Sequence, residues 1–382
     1  MSSTKIRTDW QLYSAAMVIL LFGLVMVYSA SSVAAEVHYH KEHWEFAAKQ
    51  LGYALFGIAC MIVLKRMDYK ILQHPRWILM PVGVTIMLLI GVLFADPVAH
   101  RWYLIPGVGQ FQPSELAKPV LILFLAWFVA RREANLNDKY TLQPTALVVG
   151  MLTVLVGFGD LGTAAVLLAP AVVIFYVAGI ERKYFYLALA LAALLGVGFV
   201  LQKPYRLFRV LAFAGITEKT VNENPKLHWV AELMATSRAA RDAGHQAIQG
   251  KIAVGSGGVT GVGLGLSDQK LGFLPEAHTD FIFGIVGEET GLVGCVLLLS
   301  GYMFIFWRGI RLYWTTQDAF GRYIALGCVA VITTQALFNM SVVIDMAPTK
   351  GIPLPLISFG GSALICTLST LGLLMSVSDR AS

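Results

Sequence analysis

The sequence predicts an all-α polytopic membrane protein, a bundle of about ten transmembrane helices with one large extracytoplasmic loop between the seventh and eighth spans. Of the 382 residues, 57% are hydrophobic and only 14% are charged, whereas a soluble domain carries roughly 25% charged residues. The apolar residues also form long blocks, as membrane spans require. Together these two observations exclude a soluble fold.

The apolar blocks that reach or approach the ~20 residues of a spanning helix define the individual elements. They cover about 11–33, 47–64, 77–95, 115–130, 144–158, 161–179, 184–201, 281–307, 321–344 and 355–377. The fifth and sixth blocks are separated only by a short segment around Asp160, so they predict a helical hairpin. Residues 202–280 form the large loop, and the chain 1–382 is predicted to be a single membrane domain.

Lysine and arginine are concentrated before the first block and after each even-numbered block. This is the positive-inside pattern, and it predicts that both termini are cytoplasmic and that the large loop lies outside. The pattern also accounts for the net charge of +6 without invoking nucleic acid. The four cysteines all lie inside apolar blocks, so neither a disulfide framework nor a CxxC metal motif is indicated.

The densest group of ionisable residues directly precedes the eighth block and contains Lys270, Glu276, His278 and Asp280. Pro275 is suited to the first turn of a helix, which predicts that Glu276, Asp280 and the later Glu288 share one helix face. Carboxylates at a helix start often only complement the macrodipole.

The crowding of charges and the acidic residues further into the apolar block favour a functional site instead. Asp280 is therefore the predicted catalytic residue. Glu276, His278 and Asp280 are too close in sequence to enclose a metal ion alone, and no HExxH motif is present.

Three further segments contain unusual residues for a membrane span. Glu115 and Lys118 form an i,i+3 pair at the start of the fourth block, either as a simple salt bridge or as part of a polar cavity that leads to the outer loop. Prolines around Lys350 and Ser358 predict non-helical backbone, which is tolerated in a membrane where it lines a cavity or is buried in protein. A re-entrant turn is the simpler alternative there.

The glycine-rich stretch 255–267 matches neither GxGxxG nor a GK[ST] loop, so it does not predict a nucleotide site. We expect its backbone to follow the membrane face or the phosphates of a lipid.

With these residues identified, the chain resembles the SEDS family, whose members include FtsW, RodA and SpoVE, and most closely its cell-division branch. The resemblance extends over nearly the whole length. The motifs that carry it are Gln112-Pro-Ser-Glu-Leu-Ala-Lys118, Asp160-Leu-Gly-Thr163, Gly261-Val-Gly-Leu-Gly265, Gln269-Lys270, Leu274-Pro-Glu-Ala-His-Thr-Asp-Phe-Ile-Phe283, Gly287-Glu-Glu289, Gly351-Ile-Pro-Leu-Pro355 and Ser358-Phe-Gly-Gly-Ser362.

The resemblance implies a glycosyltransferase that polymerises lipid II at the outer face of the bacterial cytoplasmic membrane during septal wall synthesis. Asp280 aligns with the essential aspartate of the family and is implied to act as general base in an inverting displacement. The undecaprenyl diphosphate leaving group requires cations, for which Lys270, Arg101 and Lys350 are candidates, with or without a divalent ion such as Mg²⁺ or Mn²⁺. The other predicted substrate-binding residues are Glu276, His278, Glu115, Lys118 and Ser358.

The implied partners are lipid II, a class B penicillin-binding transpeptidase and regulatory membrane proteins of the division machinery. Two other functions remain open at this point. A ten-span bundle with ionisable residues in apolar surroundings could be a lipid II flippase, or the chain could be a non-catalytic division scaffold. A detectable inverted repeat would favour the flippase, and none is seen in the sequence.

Overall fold

The computed structural model describes residues 9–39, 42–96, 99–106, 109–214 and 238–381. Within these ranges, ten helices are long and apolar enough to cross a membrane, which confirms the predicted fold class. Two shorter or more polar helices, Pro204–Phe213 and Arg238–Ser256, lie in the large loop, and a small antiparallel hairpin follows the third spanning helix. Residues 215–237 of the large loop lie outside the described residues.

The helices are α1 (Trp10–Tyr39), α2 (Glu45–Arg66), α3 (Pro75–Ala95), α4 (Pro113–Ala130), α5 (Lys139–Gly159), α6 (Leu161–Ala178), α7 (Arg182–Gln202), α8 (Pro204–Phe213), α9 (Arg238–Ser256), α10 (Ile282–Thr315), α11 (Ala319–Val343) and α12 (Gly361–Ser378). The strands are β1 (Tyr103–Ile105) and β2 (Gly109–Phe111).

Helices α4 and α11 form the centre of the bundle, and most of their side chains are buried. Helix α11 packs against α4, α6, α10 and α12, while α2 packs along α12. Small residues permit this close contact, as is usual between helices in a membrane. A Cβ added at Gly327 of α11 would lie 2.8 Å from the side chain of Ile122 on α4. Helix α7 is almost entirely exposed at the periphery.

Several helix ends differ from the apolar blocks because polar residues also adopt helical backbone. Helix α5 begins at Lys139 instead of near 144, and α10 continues to Thr315 instead of ending near 307. Helix α12 begins only at Gly361, not near 355. The prolines before it cannot donate backbone hydrogen bonds, and they hold the preceding segment in turns.

The predicted helix start at Pro275 is wrong. Residues 275–281 form turns, and α10 begins at Ile282. Glu276 has a φ of 57°, which a right-handed helix does not accept. Its carbonyl accepts hydrogen bonds from the amides of Thr279 and Phe281 instead. Glu276 and Asp280 therefore do not share a helix face with Glu288, and the turn directs Asp280 independently of α10.

Helix α10 is broken at Gly291, whose φ is 66°. The amides of Leu292 and Val293 that follow the break donate to the carbonyls of Gly258 and Val259, at 3.0 and 3.1 Å. In return, the carbonyls of α10 before the break accept the amides of residues 262 and 263. This pairing satisfies backbone groups that would otherwise be buried without partners.

The glycine-rich stretch therefore packs closely against α10. A Cβ at Gly257 or Gly261 would collide with backbone carbonyls of α10, at Gly287 and Glu289 respectively. These two glycines are what allows the two backbones to approach so closely.

Candidate active site

A cavity of about 930 Å³ opens at the end of the bundle that carries the large loop. The start of α2, the β-hairpin, the turn before α10 and the proline-rich segment before α12 form its walls. Its ionisable and polar lining includes Arg101, Arg209, Gln246, Glu276, His278, Asp280 and Lys350. The structure thus brings together residues from segments that are up to about 250 positions apart in sequence.

A hydrogen bond to its backbone carbonyl fixes the position of Asp280 in this wall. Its carbonyl accepts a hydrogen bond of 2.7 Å from Nδ2 of Asn339, an amide that also binds the carbonyl of Ile352. Burial raises the pKa of the Asp280 carboxyl to about 7, against the opposing attraction of Arg101 and with further repulsion from nearby carboxylates. A carboxylate with this pKa is well matched to accept a proton near neutral pH.

Gly351 lies directly beside the Asp280 carboxylate. A Cβ added there would lie 2.5 Å from Oδ2 of Asp280 and 3.9 Å from Nη1 of Arg101. The absence of a side chain at this position keeps the carboxylate and the guanidinium close to each other and open to the cavity.

Arg101 connects two loops of the site. Its Nη2 donates to Oδ2 of Asp160 at 2.5 Å and to the carbonyl of Gly351 at 3.3 Å. Asp160 also caps α6 through the amide of Gly162 and the hydroxyl of Thr163, both at 2.8 Å. Burial alone would raise the pKa of Asp160, but Arg101 and these hydrogen bonds hold it below its ordinary value. Asp160 therefore remains an anion that orients Arg101 towards the cavity.

Lys350 is a partly buried cation in the same wall. Its Nζ forms no hydrogen bond or ion pair with any residue in the described ranges. Burial lowers the pKa of Lys350 to about 8, and the positive charges of three nearby arginines lower it further, while Asp160 opposes this shift. The amine is still mostly charged at neutral pH.

His278 and Glu276 complete the polar lining. The imidazole of His278 packs between the rings of Phe46 and Phe359, with centroids at 5.0 and 5.8 Å. Burial lowers the pKa of His278, with Glu276 opposing, so its ring is neutral near pH 7. Glu276 is exposed and accepts a hydrogen bond from the hydroxyl of Thr279. It sits at the rim of the cavity.

Ser358 supports the site from behind. Its hydroxyl donates to the carbonyl of Thr279 at 2.6 Å and accepts the amide of Leu354 at 2.7 Å. The side chain is buried and does not line the cavity. Its position does not support the predicted direct contact with substrate. It joins the proline-rich segment to the turn that carries Asp280.

Glu115 and Lys118 are likewise buried within the bundle and are absent from the cavity wall. They form an ion pair of 2.7 Å, and Lys118 also donates to the side-chain oxygen of Gln335. Gln335 in turn donates to the carbonyl of Pro353. The pair therefore supports the proline-rich segment through Gln335. Its charged groups are satisfied by each other and by the Gln335 amide.

Lys270 lies in a separate buried cluster. Its Nζ donates to the carbonyl of Gly265 at 2.6 Å and lies 3.2 Å from Glu289, whose carboxylate also accepts the hydroxyl of Ser29. Lys270 does not reach the Asp280 cavity, so its position does not support the predicted diphosphate contact. The carboxylate of Glu288 in α10 is also satisfied away from this cavity, because it accepts a hydrogen bond from the hydroxyl of Ser267.

The family model described as "Cell cycle protein", which covers FtsW, RodA and SpoVE, matches residues 10–382. The chain belongs to the FtsW/RodA/SpoVE family. This confirms the SEDS resemblance that the motifs indicate.

Curated members of the family align over almost the entire chain. A "Probable peptidoglycan glycosyltransferase FtsW" of Geobacter sp. (strain M18) is 37% identical over 96% of this chain and 95% of its own length. "Stage V sporulation protein E" of Bacillus subtilis (strain 168) is 34% identical over 99% of both chains.

Solved structures show the same bundle. A chain from a study titled "Structural coordination of polymerization and crosslinking by a peptidoglycan synthase complex" has a TM-score of 0.72 at 25% identity, and covers 98% of this chain and 99% of its own. The rod shape determining protein RodA of Thermus thermophilus has a TM-score of 0.67 at 24% identity, with 98% and 97% coverage, and supports the fold alone.

The sequence does not predict the roles of several residues at this site. Arg206 and Arg209 are three positions apart on α8, and they are only two of several cations in the large loop. Asn339 appears only as a polar residue within an apolar block. The signal for Arg206 and Arg209 is their recurrence on one face of a short amphipathic helix that directly follows a span.

In the part of the chain that the structure describes, no three His, Cys, Asp or Glu side chains are grouped closely enough to hold a metal ion. Two carboxylates, those of Glu276 and Asp280, line the cavity. Such a pair could supply one or two oxygen ligands to a hydrated ion that is otherwise held by substrate phosphates.

Proposed function

We propose that this protein is a peptidoglycan glycosyltransferase that polymerises lipid II into glycan strands at the outer face of the cytoplasmic membrane during septal wall synthesis. The names of its full-length relatives support this assignment. The observation that carries it is Asp280, a carboxylate with a pKa near 7 in a cavity whose other walls provide Arg101 and Lys350.

In this reaction Asp280 accepts the proton of an acceptor sugar hydroxyl, whose own pKa is far above 7. The hydroxyl oxygen then bonds to the anomeric carbon of the donor sugar, and the bond between that carbon and the diphosphate breaks. A single displacement converts an α-linked donor into a β-linked glycan. The electron pair remains on the departing undecaprenyl diphosphate, where Arg101 and Lys350 stabilise the developing negative charge.

The test is polymerisation of labelled lipid II by the purified protein, comparing wild type with Asp280→Asn. We expect glycan strands from wild type and a loss of at least about a hundredfold in rate for the variant, because general base catalysis contributes about that much. Asp345→Asn is the matched control, since Asp345 pairs with Lys251 and lies outside the cavity wall. An active Asp280→Asn variant is incompatible with the proposed role.

A flippase is the competing function for a ten-helix bundle of this kind. Its ionisable residues would have to bind substrate at mid-depth, but Glu115 and Lys118 are bonded to each other and to Gln335. Translocation of lipid II in liposomes without any polymer would support the flippase. A chain with neither activity would be a division scaffold.

The assembly and location of the protein extend the same proposal. A class B penicillin-binding transpeptidase and regulatory division proteins are the proposed partners, in line with the synthase complex to which the fold is similar. The proposed location is the division septum, with both termini cytoplasmic. We also propose that a divalent ion binds between a cavity carboxylate and the diphosphate. The rate of lipid II polymerisation after chelation, and again after addition of Mg²⁺ or Mn²⁺, tests this.

A further inference from the structure

Two irregular segments form the part of the wall in which Asp280 lies. They are the turn of residues 275–281 and the proline-rich segment of residues 348–360, and neither contains a helix or a strand. Such backbone does not satisfy its own polar groups, so at the edge of a membrane it must bond to neighbouring groups. Two amide side chains that are each only 1% exposed, Asn339 of α11 and Gln50 of α2, provide several of these bonds.

Asn339 joins the two segments directly. Its Nδ2 donates one hydrogen bond to the carbonyl of Asp280 and a second to the carbonyl of Ile352, each 2.7 Å long. Because both partners are carbonyl oxygens, the atom that faces them must be the amide nitrogen. The amide oxygen is buried and has no hydrogen-bond partner among the described residues. Within that part of the chain, Asn339 therefore hydrogen-bonds through its side chain to these two segments alone.

The bonds of Asn339 fix the spacing between groups that act on the Asp280 carboxylate. Ile352 directly follows Gly351, the glycine beside that carboxylate, and the carbonyl of Gly351 accepts a hydrogen bond from Arg101. A shift of the turn relative to the proline-rich segment would change the distance between carboxylate and guanidinium and admit water between the segments. Both changes would alter the pKa of Asp280, which burial raises and Arg101 lowers.

Gln50 holds the proline-rich segment further along the chain. Its Nε2 donates to the carbonyl of Ser358 at 3.0 Å, and its Oε1 accepts the amide of Gly360 at 3.2 Å. Between these two residues, the amide of Phe359 donates to the carbonyl of His278 in the turn, at 3.0 Å. Residues 358–360 are thus bonded both to Gln50 and to the turn that carries Asp280.

Both positions are occupied by neutral side chains, which is significant beside a base. A lysine or arginine could also donate to these carbonyls, but its positive charge would lower the pKa of Asp280. A hydroxyl has one donor, whereas Asn339 uses two. An amide therefore holds the segments without adding to the charges near this carboxyl, which are those of Arg101, Arg209, Lys350, Glu276 and Asp160.

We propose that Asn339 and Gln50 are positioning residues for Asp280, Asn339 through the Asp280 backbone and Gln50 through the segment at Phe359. Neither side chain lines the cavity, so we expect both to affect turnover and not substrate binding. The role of Asp280 as the base is taken from the proposed function, on which this proposal rests, whereas the bonds between the segments do not depend on it.

The kinetics of lipid II polymerisation test the effect on turnover. Asn339→Leu removes both donors at similar volume. We expect its kcat to fall by about a hundredfold with KM little changed, because a displacement of about 1 Å at a catalytic group has an effect of that size. Gln50→Met acts through one more contact and should lower kcat by roughly threefold to tenfold. Thr333→Val is the matched control on α11, since it removes a buried hydroxyl that has no hydrogen-bond partner in the described ranges, and should keep the wild-type kcat.

Infrared titration of the same proteins tests the positioning without requiring activity. Subtracting the spectrum of the matching Asp280→Asn protein isolates the C=O stretch of the protonated Asp280 carboxyl, and its intensity against pH gives the pKa. We expect a midpoint at about 7 in wild type and in Thr333→Val. In Asn339→Leu the midpoint should be clearly lower, because a loosened turn admits water to the carboxylate and burial is the main cause of its raised pKa.

Thermal unfolding must show that Asn339→Leu is folded. If it is not, Asn339→Ser, which keeps one donor for the two carbonyls, takes its place with smaller expected losses. Wild-type kcat together with a wild-type titration in the folded variant would overturn the proposal, as would an equal loss in Thr333→Val. If wild type made no glycan but the titration still shifted in Asn339→Leu and not in Thr333→Val, the positioning of Asp280 would stand and the proposed reaction would fail.

Discussion

At the scale of single residues, the environment of Asp280 determines whether it can act as a base. An exposed aspartate with an ordinary pKa near 3.9 is a weak base for a sugar hydroxyl. Burial at the cavity wall raises the pKa of Asp280 to about 7, while Arg101 prevents a still larger shift. The same pair of residues thus sets the basicity of the carboxylate and provides a cation for the leaving group.

The pKa values predict a bell-shaped pH profile for the rate. The rate should rise as the pH passes through about 7, where Asp280 loses its proton, and fall as it passes through about 8, where Lys350 loses its charge. Because the two groups share one cavity, the limbs report apparent values of the pair.

Initial rates of polymerisation between about pH 5 and pH 10 measure this profile. Lys350→Arg should remove the alkaline limb, since arginine keeps its charge throughout this range. A flat profile across pH 7 would contradict the assignment of Asp280 as the base.

Gly351 is predicted to be essential for activity because any side chain there would displace the Asp280 carboxylate. In Gly351→Ala the new methyl group would lie 2.5 Å from Oδ2 of Asp280, so the carboxylate must shift. A displacement of about 1 Å at a catalytic group can cost about a hundredfold in rate, and we expect a loss of that size in lipid II polymerisation. Gly52→Ala is the control, because a Cβ there meets nothing within 4 Å. Equal rates in the two variants would show that Asp280 is not constrained at this point.

At the scale of elements, the sequence predicts spans well and the ends of spans poorly. Hydropathy identifies ten blocks because each helix that crosses the bilayer needs about 20 mostly apolar residues. It does not locate the start of α10, since the left-handed backbone at Glu276 depends on hydrogen bonds within a turn. The break at Gly291 is also hidden, because its partners lie in a loop about 30 residues earlier.

The pairing of the glycine-rich stretch with α10 predicts different effects at two glycines with similar backbone. Gly261 and Gly265 have φ values of 82° and 81°, but only a Cβ at Gly261 would collide with α10, at the carbonyl of Glu289. Gly265→Ala should therefore cost about 1–2 kcal/mol of stability from backbone strain. Gly261→Ala should cost clearly more, about 3 kcal/mol or above, because strain and overpacking add.

Thermal unfolding of the detergent-purified variants measures this difference. A midpoint for Gly261→Ala equal to that of Gly265→Ala would mean that the glycine-rich stretch does not pack tightly on α10.

At the scale of the whole molecule, the candidate site depends on contacts that no local pattern reveals. Asp280, Arg101 and Lys350 stand out in the sequence as charges at the ends of apolar blocks, and the fold brings them into one cavity. Lys118 and Lys270 stand out in the same way, yet each is neutralised by a buried carboxylate. Whether an intramembrane charge serves packing or binding is decided by the residue opposite it.

The distribution of lysine and arginine predicts the orientation of the bundle in the membrane. Site-directed labelling can test this orientation. Leu266, in the large loop, and Ile71, between α2 and α3, are both well exposed, at 67% and 54%. In a background without the native cysteines, Leu266→Cys should react with a membrane-impermeant maleimide in intact spheroplasts, whereas Ile71→Cys should react only after permeabilisation. The reverse pattern would place the cavity in the cytosol, away from the proposed reaction.

The central claim is that Asp280 removes a proton from the acceptor sugar while the neighbouring cations hold the diphosphate. The most direct measurement is to determine lipid II binding and glycan synthesis on the same preparation of Asp280→Asn. The account predicts binding close to that of wild type with no detectable strands. Synthesis by this variant at the wild-type rate would contradict it.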